Sequence, residues 1–197
     1  MEHQRVIEIL TQAFENDVVK KAIIPDAKVR SRFSRWIFKG TVRYCSRYGL
    51  VHLSAGMEGA ACWLPPGKTS MSLWGMITSW EIIPNPWMLT GRKIASFFFN
   101  LQEFMEAAHK RLMPAQHWYL LALGVKPASQ GQGIGGRLLA PMLTRLDQEK
   151  TPAYLETQTE QNVAFYQRRG FEVLEQVSWR GLPLWLMARQ PQPISKK

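Results

Sequence analysis

Apolar residues in the first fifty positions recur at the spacing of amphipathic helices. Val6, Ile7 and Leu10 share one side of a helix that is predicted to run to Phe14. A second helix is predicted from Val29 to Tyr48, again with its apolar residues broadly on one side. Helices with this pattern usually bury the apolar face. We therefore expect both faces to lie in a core.

Short apolar runs bounded by glycine or proline predict the strands of a sheet. Residues 49–53 and 59–64 form two such runs around Gly56, and the turn residues 65–67 end the second of them. The two runs therefore predict a hairpin. Further strands are predicted at residues 120–125, 153–157, 171–177 and 182–188.

The run that begins at Leu120 changes from an apolar strand to a glycine-rich turn and then to a helix. Four glycines lie within residues 131–136. A strand, turn and helix in this order gather unpaired backbone N–H groups and the positive end of the helix dipole at one point. We therefore expect residues 130–136 to bind a phosphate or pyrophosphate of a cofactor.

Two other glycine motifs compete for this segment. The phosphate-binding loop of nucleotide triphosphatases needs Lys and then Ser or Thr after its last glycine, where this chain has Arg137 and Leu138. The dinucleotide fingerprint G-x-G-x-x-G is present at 131–136, with Glu156 at the distance of a ribose-binding acid. It is disfavoured because residues 126–130 separate the strand from the glycines, and too few residues follow for a doubly wound sheet.

The glycine run resembles the acetyl-CoA motif of the GNAT acyltransferase superfamily. Residues Gln130 to Gly135 match its Q/R-x-x-G-x-G/A pattern, and residues 125–127 match its V-x-P lead-in. A second block follows in the family's order, comprising the L-E-T of 155–157, the N-x-x-F-Y of 162–166 and the G-F of 170–171. The resemblance covers Trp118 to Gln190 firmly and the rest of the chain loosely.

The resemblance implies an α/β fold with a mixed, mostly antiparallel sheet flanked by helices. The family's sheet is splayed between its fourth and fifth strands, here the strand that ends at Val125 and the strand at 153–157. The family's first strand has no counterpart ahead of Val6, so it is expected to be absent or replaced. We expect one domain over residues 1–190, with a helical insert at 69–115 and a flexible tail at 191–197.

The resemblance also implies a function, which is transfer of an acetyl group from acetyl-CoA to a primary amine of a small molecule or peptide. The amine attacks the thioester directly in a ternary complex, so neither a covalent enzyme intermediate nor a metal is expected. A second hypothesis is a non-catalytic acyl-CoA-binding regulatory protein with the same fold. Residues 62–66, Pro141 and residues 185–189 are most similar to puromycin N-acetyltransferase and its relatives.

The same resemblance assigns site residues. Tyr166 matches the tyrosine that protonates the coenzyme thiolate, and the Val125 amide matches the donor to the thioester oxygen. Glu156, near the end of a strand, is predicted as the general base, with Tyr119 or a chain of water molecules as alternatives. The residues expected to bind the cofactor are Leu123, Gly124, Val125, Gln130, Gly131, Gln132, Gly133, Ile134, Gly135, Gly136, Arg137, Asn162, Phe165 and Tyr166.

Some residues also have structural interpretations. Asn162 is predicted to cap the helix that it opens, and Gly124 is predicted to suit a β-bulge. The segment at 69–115 lies where related enzymes place the cover of the acceptor pocket. Its aromatic residues therefore either pack in the core or line that pocket, and they are Trp74, Trp80, Trp87, Phe97, Phe98 and Phe99.

Composition and charge limit the other functions that the protein could have. The chain has 197 residues and a formal net charge of +10. Its basic residues are spread along the chain without a recognised nucleic-acid-binding module, so a basic surface that attracts coenzyme phosphates is favoured over nucleic-acid binding. No apolar run is long enough to span a membrane, and Cys45 and Cys62 are expected as free thiols of a cytoplasmic protein. The histidines and cysteines lack the spacing of metal ligands, and a homo-oligomer is compatible with these features.

Overall fold

The computed structural model describes residues 2–69 and 91–193. The described elements are α1 (Glu2–Ala13), α2 (Val18–Ile23), α3 (Ala27–Tyr48), β1 (Leu50–Leu53), β2 (Gly59–Leu64), α4 (Arg92–Leu112), β3 (Trp118–Val125), α5 (Ile134–Gln148), β4 (Ala153–Thr157), α6 (Glu160–Gln167), β5 (Glu172–Trp179) and β6 (Leu182–Arg189). A short 3₁₀ turn, Pro127–Ser129, connects β3 to the glycine run.

The six strands form one sheet in the order β1-β2-β3-β4-β6-β5. All neighbouring strands are antiparallel except β3 and β4, which run parallel. The parallel pairing consists of Trp118 with Ala153 and Tyr119 with Tyr154. Beyond these two pairs, β3 continues to Val125 along β2 while β4 continues along β6. The sheet is therefore splayed between β3 and β4, and the mixed α/β fold expected from the sequence is confirmed.

A β-bulge in β3 lies next to the point where the strands separate. Trp63 of β2 pairs with Leu120, whereas the preceding Cys62 pairs with Ala122, which leaves Leu121 as the extra residue. A bulge bends its strand and increases the local twist, so the bulge directs the end of β3 away from β4. The bulge expected at Gly124 is thus found at Leu121 instead.

A glycine is required at position 124 for a different reason, which is the close approach of α1 to β3. A Cβ atom at this position would lie 2.8 Å from the Cβ of Ala13 and 3.0 Å from the Cδ2 of Leu10. These contacts are shorter than van der Waals packing permits, so only glycine lets α1 lie directly on this part of β3.

Two apolar layers cover the two faces of the sheet. On one face, α1, α3 and the end of α4 pack on the sheet, so that helix residues such as Val6, Leu10 and Val42 share a core with strand residues such as Tyr154. On the other face, α5 and α6 pack against a cluster that contains Trp63, Leu139, Met142, Leu146, Leu155 and Met187. Where β3 and β4 separate, the sheet has a gap that opens to both of its faces.

The helices and strands predicted from the apolar pattern are present with small differences at their ends. The prediction missed α2, because six residues are too few to show a helical repeat. Within the described residues the first element is helix α1, and no strand precedes it. The second half of the insert is the single long helix α4. Trp74, Trp80 and Trp87 lie outside the described residues, and the division into one domain and a tail stays a prediction.

Candidate active site

The free edge of β3 faces the gap in the sheet. The N–H of Lys126 donates to the carbonyl of Glu58, 2.8 Å away, on the β2 side. Successive N–H groups of a strand point to opposite sides, so the N–H of Val125 points away from β2 and towards the gap. The Val125 carbonyl accepts a hydrogen bond of 3.1 Å from the side chain of Gln130. This bond holds the start of the glycine run against the end of β3.

The glycine run forms a turn that ends at the first residue of α5. Gly131 and Gly133 have φ angles of 79° and 74°, which lie in the left-handed region that favours glycine. Gly133 is the residue before the helix, and no side chain caps this end of α5. The first amides of a helix have no acceptor within the helix. The turn therefore presents free N–H groups, from Ile134 onwards, at the positive end of the helix dipole.

Two arginines lie beside this turn. Arg137 donates from Nη1 to the carbonyl of Gln132 at 2.9 Å. Arg169, at the end of α6, packs its guanidinium 3.6 Å from the ring centroid of Phe165. A Cβ atom built on Gly136 would lie 2.5 Å from Nη2 of Arg169. Arg169 was missed by sequence reasoning, because only the packing of α6 on the turn brings it to the glycines.

Helix α6 supplies the opposite side of the gap. Its N-cap is Thr159, whose hydroxyl accepts the N–H of Asn162 at 3.2 Å. The expectation that Asn162 caps the helix is therefore wrong, because the helix begins two residues earlier. Asn162 lies in the first turn, exposed, and its side chain borders the gap.

Tyr166 lies one turn further along α6 and is buried. Its ring contacts Phe165 and Phe171 edge to face, at centroid distances of 5.1 Å and 5.7 Å. Burial raises the pKa of the Tyr166 hydroxyl well above its usual range, so the group keeps its proton at neutral pH. In the described part of the chain, this hydroxyl has no hydrogen-bond partner. The side chain borders the same cavity as the end of β4.

Glu156 of β4 and Tyr119 of β3 meet where the two strands separate. The Tyr119 hydroxyl donates to Oε2 of Glu156 at 2.6 Å. Glu156 is partly exposed at the cavity, and burial of its carboxylate raises the pKa of Glu156 to about 7 against the opposing effect of the Tyr119 hydrogen bond. Burial and the adjacent carboxylate raise the pKa of Tyr119. Tyr119 therefore stays protonated as the donor, and Glu156 is the group that exchanges a proton near neutral pH.

Behind this pair lies a buried pair of histidines that the sequence did not indicate. Nε2 of His109 and Nε2 of His117 are 2.6 Å apart, and Nδ1 of His117 donates to the carbonyl of Pro114. Since Nδ1 of a neutral His117 carries the proton, its Nε2 accepts and His109 donates. The His109 ring stacks on Tyr154 at a centroid distance of 4.2 Å. The histidine pair packs against the rings of Tyr119 and Tyr154. The two histidines are eight residues apart in sequence, one in α4 and the other just before β3.

A cavity of 610 Å³ borders Tyr119, Glu156 and Tyr166. At one side it reaches β3 at Leu123, β4 at Glu156, and Asn162 and Tyr166 of α6. It then continues between α2, α3 and α4, where most of the described wall is apolar or aromatic. The wall there includes Phe14, Val19, Phe33, Ile37, Phe38, Phe98 and Leu101. Phe98 and Phe99 of the aromatic insert border the cavity, whereas Phe97 packs edge to face on Trp179 at 4.7 Å.

The structure brings most of the predicted site residues together. Leu123 and Val125 lie at the edge of β3, residues 130–133 form the turn before α5, and residues 134–137 form its first turn of helix. Phe165 packs within 3.2 Å of a Cβ built on Gly135. Gly124 faces α1 and acts through packing rather than by lining the gap. In residues 2–69 and 91–193, no group of three His, Cys, Asp or Glu side chains is placed to hold a metal ion. Within the same ranges, no helix has the length and apolar character needed to cross a membrane.

Comparison with known proteins agrees with this geometry. Residues 98–173 match the family model of the acetyltransferase (GNAT) domain. An uncharacterized N-acetyltransferase from Schizosaccharomyces pombe is 26% identical over 157 residues, which make up 75% of this chain and 62% of the relative. The match thus spans less than two thirds of that relative's length.

Two solved structures share the fold over nearly the whole chain. One is described as histone acetyltransferase HPA2 and related acetyltransferase from Corynebacterium glutamicum; it is 20% identical with a TM-score of 0.63, covering 99% of this chain and 94% of its own. The other is the PaiA N-acetyltransferase of Thermoplasma acidophilum in complex with coenzyme A, 14% identical with a TM-score of 0.52, covering 96% and 92%. The chain therefore shares the fold of these acetyltransferase structures, and its residues 98–173 match the GNAT domain model.

Proposed function

We propose that the protein is an acetyl-CoA-dependent N-acetyltransferase that acetylates a primary amine of a small molecule or peptide by direct attack in a ternary complex. The observation that carries the proposal is the gap between β3 and β4. The gap has an unpaired strand edge at Val125 on one side, Tyr166 on the other, and a carboxylate with a pKa near neutrality, Glu156, at its inner end.

The turn at the start of α5 fits the pyrophosphate of coenzyme A. Its free N–H groups and the helix dipole favour an anion, and the space beside Gly131 is open, with no atom within 4 Å of a Cβ built there. Arg137 and Arg169 add positive charge next to the turn. Asn162 and the edge of β3 at Leu123 would hold the pantetheine arm. When bound, acetyl-CoA supplies a thioester activated for attack by an amine.

Glu156 would act as the general base. An amine is protonated at neutral pH and must lose a proton to attack. A carboxylate of ordinary pKa is too weak a base for this step, whereas a pKa of about 7 is matched to it. Tyr119 orients the carboxylate through its 2.6 Å hydrogen bond. Proton transfer occurs either directly or through water in the cavity.

Val125 and Tyr166 would stabilise the charges that develop at the thioester. The Val125 N–H, which points into the gap, would donate to the carbonyl oxygen as it becomes negative. The Tyr166 hydroxyl would donate to the departing sulfur. Because burial raises the pKa of Tyr166, we expect a strong hydrogen bond to the sulfur to contribute more than complete proton transfer.

We also propose that the protein is most similar, among such enzymes, to puromycin N-acetyltransferase and its relatives. The similarity of residues 62–66 and 185–189 supports this assignment.

The test of the function is a screen of primary amines for acetyl-CoA-dependent release of free coenzyme A thiol, run beside thermal melts with acetyl-CoA. Release with at least one amine supports the enzyme. Stabilisation by acetyl-CoA without release from any amine would support the non-catalytic binding protein instead.

A further inference from the structure

A buried lysine lies in the part of the cavity remote from the gap. Lys20 of α2 is only 6% exposed and borders the cavity. Its Nζ makes no hydrogen bond to any residue that the structure describes. The ammonium lies 4.5 Å from the ring centroid of Phe38 and 5.1 Å from that of Phe14. A lysine is rarely buried to this extent without an anionic partner.

The surroundings of Lys20 stabilise its charge only in part. Asp17, the carboxylate that acts electrostatically on the ammonium, accepts the backbone N–H of Lys20 at 2.8 Å as the N-cap of α2 and does not form an ion pair with the ammonium. Burial lowers the pKa of Lys20 to about 8, with Asp17 opposing the shift. The side chain therefore remains mostly protonated at neutral pH. The two phenylalanine faces attract the charge, but they leave its N–H donors without acceptors.

Two further carboxylates, Glu106 and Glu156, interact at a different part of the same cavity. Glu106 of α4 raises the pKa of Glu156 electrostatically, and Glu106 also forms an ion pair of 3.0 Å with Lys110. Asp17, by contrast, is the carboxylate that acts on Lys20. The cavity thus has a carboxylate end beside the gap, where an amine has to react, and an ammonium end among aromatic rings.

We propose that the acceptor carries a carboxylate as well as the reacting amine, and that Lys20 binds this carboxylate while the apolar body of the acceptor packs on the phenylalanine rings. The inference rests on the proposed function, because it assigns the acceptor of the same site. The class comprises ω-amino carboxylates and short apolar peptides, in which an apolar body separates the amine from the carboxylate. A cavity of 610 Å³ is within the usual size range for sites that bind such molecules.

The test uses acceptors in matched pairs. Each ω-amino carboxylate or short apolar peptide is compared with its primary carboxamide, which keeps the amine and the body but removes the negative charge. The kcat/KM of the parent protein is expected to be about tenfold to hundredfold higher for the carboxylate of at least one pair, the effect of a charged hydrogen bond in a buried site. The series of ω-amino carboxylates also measures the spacing between the two ends.

Lys20→Met is the informative variant, because Met keeps an unbranched apolar side chain in the same space. This variant should lose the preference for the carboxylate and keep its activity on the carboxamide. Lys21→Met is the matched control, since Lys21 is exposed on the same helix. It should retain the parent preference. An equal effect of Lys20→Met on both members of a pair, or a parent with no carboxylate preference, would overturn the inference.

A binding measurement separates this inference from the proposed function. Thermal melts compare an N-acetylated ω-amino carboxylate with its N-acetylated carboxamide, neither of which needs turnover. Stronger stabilisation by the carboxylate in the parent, lost in Lys20→Met, supports the inference even if no thiol is released. Thiol release from amines and carboxamides, with equal stabilisation by the two N-acetylated ligands, keeps the function and rejects the carboxylate site.

Discussion

The hydroxyl of Tyr119 donates a 2.6 Å hydrogen bond to Glu156 at the point where β3 and β4 cease to pair. Tyr119 belongs to the last pair of the parallel junction, and Glu156 lies just beyond that junction on β4, so the hydrogen bond orients the proposed base at the inner end of the gap. The bond favours the charged carboxylate, while burial disfavours it. The balance of these two effects places the pKa of Glu156 in the range where a general base works at neutral pH.

Replacing Glu156 with Gln should remove the base and retain its shape. The kcat/KM is expected to fall about 10²- to 10⁴-fold. In the parent, kcat/KM should rise with pH through about 7, because the base acts only when deprotonated. The Gln variant should lack this rise. The measurement is the pH profile of both proteins on the same acceptor, with the exposed Glu160→Gln as control.

Stability provides an independent check on the same substitution. Because the folded pKa of Glu156, about 7, lies above the ordinary 4.5, the folded state holds more protons than the unfolded state between these values, and stability falls as pH rises through them. The Gln variant should escape this loss. It is therefore expected to be at least as stable as the parent at pH 8, and a large destabilisation there would contradict the raised pKa.

Tyr119→Phe should shift the working range of the base. Removing the hydroxyl removes a hydrogen bond to the charged carboxylate, so the pKa of Glu156 should increase further. The rising limb of the kcat/KM profile should move to higher pH, with little change in the plateau. A profile that keeps its position but falls at all pH values would instead indicate that Tyr119 contacts the acceptor.

Tyr166→Phe should lower kcat while leaving folding and acetyl-CoA affinity nearly unchanged. The ring contacts with Phe165 and Phe171 are retained, and only the donor to the sulfur is lost. We expect a loss near the low end of the usual range for an acid catalyst, about 10²-fold, because a thiolate leaves fairly well unaided. Steady-state kinetics and melts of the two proteins test this, with Tyr48→Phe as control. An unchanged kcat would remove Tyr166 from the mechanism.

Gly133→Val should abolish the rise in melting temperature that acetyl-CoA produces. A ligand bound only by the folded state stabilises it by mass action. A β-branched side chain at φ 74° is strained and obstructs the approach to the free amides of α5. Gly181→Val is the matched control, because Gly181 has a φ of 80° in the turn between β5 and β6. The control should lose stability but keep the acetyl-CoA shift.

The buried histidine pair should make the protein sensitive to acid. Burial and the adjacent His117 lower the pKa of His109 to about 4 from the ordinary 6.5. Between these values the unfolded state binds more protons than the folded state, so this histidine contributes stability that is lost as pH falls from 6.5 towards 4, by up to about 1.4 kcal/mol per pH unit.

His109→Gln tests this sensitivity, because the amide of Gln can still donate to His117 without titrating. Denaturant unfolding of the parent and the variant at pH 7 and pH 5 is the measurement. Glu156 contributes with the opposite sign over part of this range, so the informative quantity is the difference between the two proteins. The variant should lose less stability than the parent on acidification, and equal losses would show that the pair does not titrate as proposed.

The local sequence determined the elements and the class of the fold. The helical repeats of α1 and α3, the runs of β1 and β2, and the glycine turn before α5 depend on interactions between residues close in the chain. The motif order from Val125 to Phe171 indicated the splayed sheet that the structure contains. The apolar pattern did not predict the short helix α2 or the N-cap of α6 at Thr159, because one or two turns of helix carry too little periodic signal.

Only the tertiary structure decided how the site works. The hydrogen bond between Tyr119 and Glu156 joins residues 37 positions apart, and no local pattern relates them. The raised pKa of Glu156, the placement of Arg169 beside Gly136, and the burial of Lys20 all depend on which residues surround each group after packing. Desolvation is a property of the assembled core rather than of a segment. For this reason the sequence alone indicated the candidate site residues, while the packed structure decided their ionisation and their partners.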